Sequence, residues 1–300
     1  MLANRLNRNG TIGIFCPSHI FDKKIYAPGI AAMERLGFKV RFGKNVEKST
    51  YGYAASAEER AADLNALVAD DMVQMIFFGG GESAVEILPL IDYDNIRSHP
   101  KIFSSYSDGT SILNAIYAQT GLTTYYGSCP GEFFDLRLYD YMQFTSHFIE
   151  ENSVWQFVSD SAWRTLSGGT CEGVLIGGYA SLFGLMLSNK YFRYEKEKSY
   201  LLFLEDNERF SSVGAVSTYL SFIGQSTFIE NVTGLVFGHY STTVPDDLLR
   251  CLERFGATYN IPVIYTDDFG HGTRHAIFPI GLNANLDADR QCLSFQAQPQ

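Results

Sequence analysis

One serine in the sequence has the surroundings of an activated nucleophile. The stretch 101–121 has the pattern of a short strand followed by an amphipathic helix, with a glycine where the helix should end. Ser107 lies at the junction, and small residues, Ser105 and Gly109, stand two positions to either side. This spacing is typical of a nucleophile elbow, in which a sharp strand-to-helix turn exposes a serine hydroxyl. A Ser-Asp helix N-cap fits the same stretch equally well.

A serine nucleophile needs a general base, and the base needs an acceptor that orients it. Of the six histidines, His271 has the most suitable context, because it follows a predicted strand in a Phe-Gly-His-Gly loop. Glu205 is the best acceptor, since it ends an apolar strand where an unpaired carboxylate would be costly. Glu205 could also be an ordinary salt-bridged acid at a strand end. The order Ser107, Glu205, His271 permits a catalytic triad without establishing one.

Two other patterns suggest a ligand. His271 and His275 have the spacing of a helical metal site, but Gly272 and Pro279 argue against a helix there. The run Gly79–Gly81 could be a tight turn or a phosphate cradle, but it lacks the spaced glycines of a dinucleotide site. We therefore expect neither a metal nor a cofactor.

The composition restricts the classes of partner. A formal charge of −10 argues against a nucleic-acid polymer or an anionic membrane. The five cysteines are odd in number, widely spaced and without a Cys-x-x-Cys pair, as is typical of reduced thiols in a cytoplasmic protein. No segment has the length of a membrane span or the pattern of a signal peptide. We expect a cytoplasmic protein with a small-molecule substrate.

Strands and helices alternate through the first half of the chain with short connections. This alternation predicts an α/β fold with a doubly wound parallel sheet of flavodoxin or amidotransferase type. The predicted strands are 11–15, 38–42, 72–78, 101–106, 174–176, 200–204, 234–237 and 262–265, and the clearest predicted helices are 57–69, 213–222 and 246–259. Ligands of such sheets bind beyond the carboxyl ends of the strands, where Ser107 and the glycine run both fall.

The second half of the chain is richer in strands. A break in the pattern near 150–169 carries both tryptophans, Trp155 and Trp163. We predict an N-terminal α/β domain at 1–150 that carries the nucleophile and an inter-domain crossover at 151–170. A smaller β-rich domain at 171–300 would carry the acid and the base.

Several motifs in one order resemble the LD-carboxypeptidase family of serine peptidases, which includes the microcin C self-immunity proteins. The matching stretches are 79–97, 100–103, 106–110, 173–178, 202–206, 270–272 and 279–281. The resemblance implies Ser107 as nucleophile, Glu205 as acid and His271 as base. It also implies an oxyanion hole formed by the backbone N–H of Asp108 and that of Gly80 or Gly81. Finally, it implies a triad assembled between two domains and a homodimer.

The chain departs from the family pattern around the substrate pocket. Ser105 and Tyr179 stand where glycine and asparagine are usual, and Glu82 and Val85 replace small or polar residues of the glycine turn. All three triad positions keep the family residue types. The candidate pocket residues are Glu82, Tyr179, Trp155, Trp163 and Arg274.

These observations leave three functions open. The first is an LD-carboxypeptidase that cleaves a D-residue from a cell-wall muropeptide through an acyl-enzyme. The second is a hydrolase of aminoacyl- or peptidyl-nucleotide antibiotics of the microcin C type, for which a tryptophan could stack on the nucleobase. The third is a non-catalytic binding homologue, which the pocket departures permit and the intact triad disfavours.

Overall fold

The computed structural model describes residues 1–130, 137–150 and 154–296. The chain divides into two compact units, unit 1 at 1–151 and unit 2 at 152–300. Within the described ranges, no helix is both long enough and apolar enough to cross a membrane.

Unit 1 alternates strands with helices. Its regular elements are β1 (Thr11–Phe15), α1 (Lys23–Arg35), β2 (Lys39–Phe42), α2 (Ala57–Ala69), β3 (Val73–Phe78), α3 (Tyr93–Ser98), β4 (Ile102–Ser105), α4 (Thr110–Thr120), β5 (Thr124–Tyr126) and α5 (Leu138–Phe148), with short 3₁₀ helices at Ala84–Leu90 and Ser107–Gly109. The strands lie in the order β5-β4-β3-β1-β2, and each adjacent pair is parallel. The parallel sheet predicted for the N-terminal half is confirmed.

Sequence pattern explains these elements. The apolar runs of β1 and β3 are almost entirely buried, whereas β2 lies at the sheet edge and is largely exposed. Helix α2 begins with a capping box, in which the Ser56 hydroxyl accepts the Glu59 N–H and the Glu59 carboxylate accepts the Ser56 N–H. The segment around Val85 forms a 3₁₀ helix that contains Pro89, which has no N–H to donate.

Unit 2 is built on a mixed sheet. Its elements are β6 (Val154–Gln156), β7 (Arg164–Ser167), β8 (Thr170–Tyr179), α6 (Ala180–Met186), β9 (Tyr200–Glu205), α7 (Val213–Gln225), β10 (Val232–His239), α8 (Asp246–Tyr259), β11 (Val263–Gly270), β12 (Phe278–Ile280), β13 (Asn283–Asp287) and β14 (Cys292–Gln296), with a 3₁₀ helix at Thr227–Asn231. In the described part, the sheet runs β6-β14-β13-β8-β9-β10-β11-β7. Strands β8, β9, β10 and β11 are parallel, and antiparallel strands flank them on both sides. The strand-rich C-terminal part is therefore confirmed.

The stretch predicted as a crossover contributes β6 and β7 to this sheet, and the loop between them is held by a buried acid. The carboxylate of Asp268 accepts the indole N–H of Trp163 at 2.9 Å and the hydroxyl of Ser159 at 2.7 Å. It also accepts the backbone N–H of Asp160 at 3.0 Å. One carboxylate at the end of β11 thus fixes the loop by three hydrogen bonds.

Candidate functional site

Ser107 lies at a sharp turn in unit 1 between β4 and α4. Its φ angle is 55°, a left-handed conformation that is uncommon for any residue other than glycine. The backbone N–H of Ser107 donates to the hydroxyl of Tyr126 at 2.9 Å. Gly109 leaves no space for a Cβ, because the Ser105 side chain packs against it. The Ser-x-Ser-x-Gly sequence therefore forms a tight strand–turn–helix, the geometry of a nucleophile elbow.

The alternative that Ser107 is a helix N-cap does not fit this geometry. The N-cap position of α4 is occupied by Gly109, and that of the short 3₁₀ helix by Tyr106. Neither helix start has a side-chain cap hydrogen bond. Ser107 is therefore in a strained conformation for a reason other than capping.

The glycine turn after β3 approaches Ser107 closely. A Cβ on Gly80 would lie 2.7 Å from the Ser107 Cβ and 3.1 Å from its Oγ, so only glycine fits at this position. Gly81 has a φ of +152°, and a Cβ there would lie 2.6 Å from the carbonyl oxygen of Ser18. The turn therefore places backbone atoms, without intervening side chains, next to the candidate nucleophile.

Asp108 links the elbow to the segment that follows the glycine turn. Its buried Oδ2 accepts the backbone N–H of Ala84 at 2.7 Å. Burial raises the pKa of Asp108, and the hydrogen bond from Ala84 partly opposes this shift. The side chain of the residue after Ser107 thus fixes the register between the two segments.

Arg60 of α2 holds the neighbouring loops. Its buried guanidinium donates to the carbonyl oxygens of Pro17 and Ser83 and forms an ion pair with Glu86. Sequence analysis missed this residue. The available signal was its place on the buried face of α2, four residues before the buried Leu64.

His19 also lies beside the glycine turn, although its sequence context suggested no site. Its Nε2 is 2.8 Å from the Tyr26 hydroxyl, and the two rings stack with centroids 5.7 Å apart. A Cβ on Gly79 would lie 3.2 Å from the His19 Cε1. Burial lowers the pKa of His19, which favours a neutral imidazole at this position.

Unit 2 brings together the predicted acid and base. The Nδ1 of His271 is 2.9 Å from the Oε2 of Glu205, which is fully buried at the end of β9. Gly270 has a φ of +102°, and a Cβ there would lie 3.0 Å from the Glu205 Cβ. The glycine therefore lets the strand that precedes His271 approach the carboxylate. The arrangement is that of a histidine whose tautomer is set by a carboxylate.

Two aromatic rings flank this imidazole. The rings of Tyr179 and Phe210 each lie 5.3 Å from that of His271, at interplanar angles of 64° and 63°. Phe210 is 65% exposed. Tyr179 was predicted as a pocket residue, whereas Phe210 was not, since nothing in its sequence context marks it.

A second histidine–carboxylate pair lies in the same unit. The Nδ1 of His239 is 2.8 Å from the Oδ1 of Asp267, which also accepts the Tyr265 hydroxyl at 2.8 Å. Burial alone would raise the pKa of Asp267, but these hydrogen bonds outweigh it and the pKa is lowered. A Cβ on Gly272 would lie 2.8 Å from the Cγ of His239, so this pair packs against the loop that carries His271.

Asp206, the residue after the candidate acid, is also buried. Burial raises its pKa to about 6, and hydrogen bonds from the Asn207 backbone and the Ser211 side chain oppose the shift. Tyr179 interacts with this carboxyl group as well as with the His271 ring. The C-terminal end of β9 therefore carries two adjacent carboxyl groups, Glu205 and Asp206, with different hydrogen-bond partners.

The remaining predicted residues lie in varied surroundings. Glu82 is exposed, directly after the glycine turn. Trp155 is buried in β6 opposite Phe295, and Trp163 is buried against Asp268. Arg274 donates from Nε to the Oδ2 of Asp160 at 2.6 Å. Both tryptophans and Arg274 therefore make contacts inside unit 2.

Metal-binding side chains are not clustered in the part of the chain that the structure describes, where no group of three or more His, Cys, Asp or Glu residues is placed to hold an ion. The segment 271–277 contains no helix, so His271 and His275 lack the helical face that their spacing would require.

Comparison with known proteins identifies the family of this chain. The profile of the LD-carboxypeptidase N-terminal domain matches residues 12–127, and that of the LD-carboxypeptidase C-terminal domain matches residues 172–286. The chain is 29% identical over 305 residues to a probable murein peptide carboxypeptidase of Bacillus subtilis, with 97% of this chain and 93% of that protein covered.

Two solved structures share the fold. An MccF-like protein from Bacillus anthracis matches with a TM-score of 0.91 and 25% identity, covering 99% of this chain and all of the other (100%). The microcin C7 self-immunity protein MccF in complex with aspartyl sulfamoyl adenosine matches with a TM-score of 0.86 and 25% identity, covering 99% of each chain. The two domain profiles, in order and over most of the sequence, show that the chain belongs to the LD-carboxypeptidase family.

Proposed function

We propose that this protein is a serine amidohydrolase that cleaves an amide bond in a small peptide-like substrate. The Oγ of Ser107 attacks the amide carbonyl carbon as His271 takes up the hydroxyl proton. His271 then gives the proton to the leaving amine, and an acyl-enzyme remains on Ser107. Water, activated by the same imidazole, releases the acid. Glu205 holds the tautomer of His271 and stabilises its charged form.

The observation that carries this proposal is the left-handed backbone at Ser107, pressed against the glycine turn. A strained serine is kept where its hydroxyl must be exposed, and the nearby backbone can bind an oxyanion. We assign the oxyanion hole to the N–H of Asp108 and that of Gly80 or Gly81. The side chain of Asp108 would also support the oxyanion hole, since its carboxylate accepts the Ala84 N–H and so fixes the segment after the glycine turn.

The substrate that we propose first is a cell-wall muropeptide, from which a C-terminal D-residue is removed. The likeness to the Bacillus subtilis murein peptide carboxypeptidase supports this choice. The second candidate is an aminoacyl nucleotide of the microcin C type. It is favoured by the likeness to MccF, whose complex with aspartyl sulfamoyl adenosine shares the fold.

Among the pocket residues, Tyr179 has the best support, because its ring contacts that of His271. The pocket roles of Glu82, Trp155, Trp163 and Arg274 stay predictions. So do a cytoplasmic location, a homodimer and a triad assembled from both units of the chain.

The proposal is tested with a fluorophosphonate probe and two substrates. We expect the probe to label the native protein at Ser107, and labelling to vanish in Ser107→Ala. Incubation with a muropeptide tetrapeptide and, separately, with an aminoacyl-sulfamoyl adenosine, with products identified by mass, then selects the substrate branch.

Labelling that is absent, or unchanged in Ser107→Ala, would overturn the serine mechanism and favour the binding homologue. Cleavage of neither substrate by a protein that the probe does label would retain the mechanism and reject both substrate classes.

A further inference from the structure

A turn at 207–211 in unit 2 is closed on a single residue, Asn207. The carbonyl oxygen of Asn207 accepts the backbone N–H of Phe210 at 2.9 Å and that of Ser211 at 3.0 Å. Its side-chain Oδ1 accepts the backbone N–H of Arg209 at 3.0 Å. A bond between an asparagine side chain and the N–H two residues on stabilises a turn. The buried Asn207 therefore sets the conformation of this segment.

The same turn is held from the other side by Tyr240, which follows β10. The backbone N–H of Glu208 donates to the Tyr240 carbonyl oxygen at 3.0 Å. The hydroxyl of Tyr240 donates to the Ser211 carbonyl oxygen at 2.6 Å. Tyr240 is itself buried, so this hydroxyl is shielded from competing water. The backbone that carries Phe210 is thus fixed on both sides.

The side-chain amide of Asn207 also reaches the residue proposed as the base. Its Nδ2 is 3.4 Å from the carbonyl oxygen of His271, a long hydrogen bond between residues 64 positions apart. His271 lies between Gly270 and Gly272, and glycine restricts the backbone less than any other residue. The Asn207 amide therefore restrains a main chain that its own sequence restricts little.

The turn places one aromatic ring against the imidazole. The rings of Phe210 and His271 have centroids 5.3 Å apart and an interplanar angle of 63°, an edge-to-face contact. Phe210 is largely exposed, whereas the His271 side chain is only 13% exposed. The phenyl ring therefore covers part of the imidazole. Such cover limits rotation of the imidazole and shields its hydrogen bond to Glu205 from water.

We propose that Asn207 is a positioning residue for His271, which acts through its amide on the main chain of the base and through Phe210 on the imidazole. This inference rests on the proposed function for the role of His271 in the reaction. Asn207 acts without touching the substrate. It keeps the imidazole in the one tautomer and rotamer in which Nδ1 bonds to Glu205.

Two substitutions separate the two routes by which Asn207 acts. Asn207→Ser keeps an oxygen that can accept the Arg209 N–H, but its side chain is too short to reach the His271 carbonyl oxygen. Phe210→Ala removes the ring and leaves the Asn207 contacts in place. We expect each to lower kcat about tenfold with little change in KM, because a misplaced base raises the barrier without changing ground-state binding. Tyr179 still contacts the imidazole in both variants, which limits the loss.

Two controls make the same chemical changes elsewhere in unit 2. Asn231 lies just before β10, and its Nδ2 donates to the carbonyl oxygens of Lys196 and Lys198 at 2.7 Å each. Asn231→Ser therefore removes an amide that ties a loop to distant main chain. Phe222→Ala removes a ring on α7 that is 63% exposed. Both controls should keep the wild-type kcat.

Three kinetic results would overturn the inference. The first is a wild-type kcat in both Asn207→Ser and Phe210→Ala. The second is an equal loss of kcat in Asn207→Ser and Asn231→Ser, which would indicate a general effect of losing a structural amide. The third is a raised KM with unchanged kcat in Phe210→Ala, which would assign this ring to substrate binding.

The tautomer of His271 gives a readout that needs no turnover. Nitrogen resonances of isotopically labelled histidine, assigned with His271→Gln, show which ring nitrogen carries the proton in the neutral imidazole. We expect a single tautomer protonated at Nδ1 in the wild type. In Asn207→Ser and Phe210→Ala we expect a mixture, since an imidazole released from its acceptor exchanges between tautomers. A single Nδ1–H tautomer in both variants would overturn the inference.

The same spectra separate this inference from the proposed function. A tautomer mixture in the variants, together with no turnover by the wild type, would retain the positioning role and reject the hydrolase. Turnover that depends on Ser107, with one tautomer in every protein, would retain the hydrolase and reject the positioning role. Because Phe210 is exposed, Phe210→Ala should fold, and it decides the question if Asn207→Ser does not fold.

Discussion

The two units build their chemically distinctive residues by different means. In unit 1 the features around Ser107 are backbone features: a left-handed φ, a glycine turn without space for a Cβ, and a helix start. In unit 2 they are side-chain features, a histidine hydrogen-bonded to a buried carboxylate and flanked by rings. Activity should therefore be most sensitive to an added methyl group at the glycine turn in unit 1. In unit 2 it should be most sensitive to loss of the carboxylate charge beside His271.

The largest expected effect is in unit 2. Replacing Glu205 by glutamine keeps the shape of the side chain but lets it donate to His271, which selects the wrong tautomer. We expect kcat to fall by roughly 10³- to 10⁴-fold, with little change in KM. Steady-state kinetics on whichever substrate the protein cleaves would measure this.

The second histidine–carboxylate pair provides the control. Asp267→Asn makes the same chemical change next to His239, outside the proposed triad. We expect it to alter kcat by less than about tenfold. Equal losses in the two variants, or a larger loss in Asp267→Asn, would mean that the acid–base pair has been assigned to the wrong histidine.

The next effect is in unit 1. Gly80→Ala would place a Cβ 2.7 Å from the Ser107 Cβ, so the turn must move away from the nucleophile. Displacing an oxyanion donor typically costs about 10²- to 10³-fold in kcat, and we expect a loss in that range. Gly184→Ala is the control, since its nearest neighbour would be 3.9 Å away. A Gly80→Ala enzyme with wild-type kcat would remove the glycine turn from the mechanism.

One buried group in each unit should also respond to pH, and the two responses have opposite sign. Burial lowers the pKa of His147 in unit 1 to about 4, so the unfolded chain binds more protons below about pH 6.5. Stability from this group therefore rises with pH between about 4 and 6.5. Burial raises the pKa of Asp206 in unit 2 to about 6, so the native state binds more protons and stability falls as pH rises between about 4 and 6.

Two variants separate these contributions. His147→Phe should flatten the rise in stability between pH 4 and 6.5, and Asp206→Asn should steepen it, each by about 2 kcal/mol. Urea denaturation at a series of pH values measures the free energy of unfolding. Slopes unchanged in both variants would show that neither buried group titrates differently in the folded and unfolded chain.

The smallest expected effect concerns the loop fixed by Asp268. Trp163→Phe removes one hydrogen bond to a carboxylate that keeps its bonds from Ser159 and Asp160. We expect a loss of about 1–2 kcal/mol in the free energy of unfolding and an unchanged kcat. A tenfold rise in KM instead would support the predicted place of Trp163 in the substrate pocket.

The sequence predicted some features of each unit and missed others. The elements of unit 1 and the pairing of Glu205 with His271 were accessible, since both depend on local pattern and on motif order. The left-handed φ at Ser107 could not be predicted directly, because the sequence fitted both a nucleophile elbow and a helix N-cap. The position of Asp108 relative to Ala84 was not, because it depends on the register of two segments 24 residues apart.

The features that were missed come from contacts distant in sequence. His19 beside Gly79, and His239 beside Asp267, are separated by too many residues for spacing to suggest a pair. Phe210 was missed for another reason, because exposure of one ring is decided by the packing of the whole unit. The hydrogen bond from the Trp163 indole N–H to the buried Asp268 was again missed because of distance in sequence, since the two residues are 105 positions apart.

The left-handed backbone conformation of Ser107 also has a cost in stability. Holding a residue with a Cβ in that conformation costs about 1 kcal/mol, and glycine in its place would relieve most of this cost. A chain selected only for thermal endurance would therefore carry glycine at position 107. Under the proposed function, the hydroxyl kept there, at a site with φ 55°, is retained for chemistry at a cost in stability.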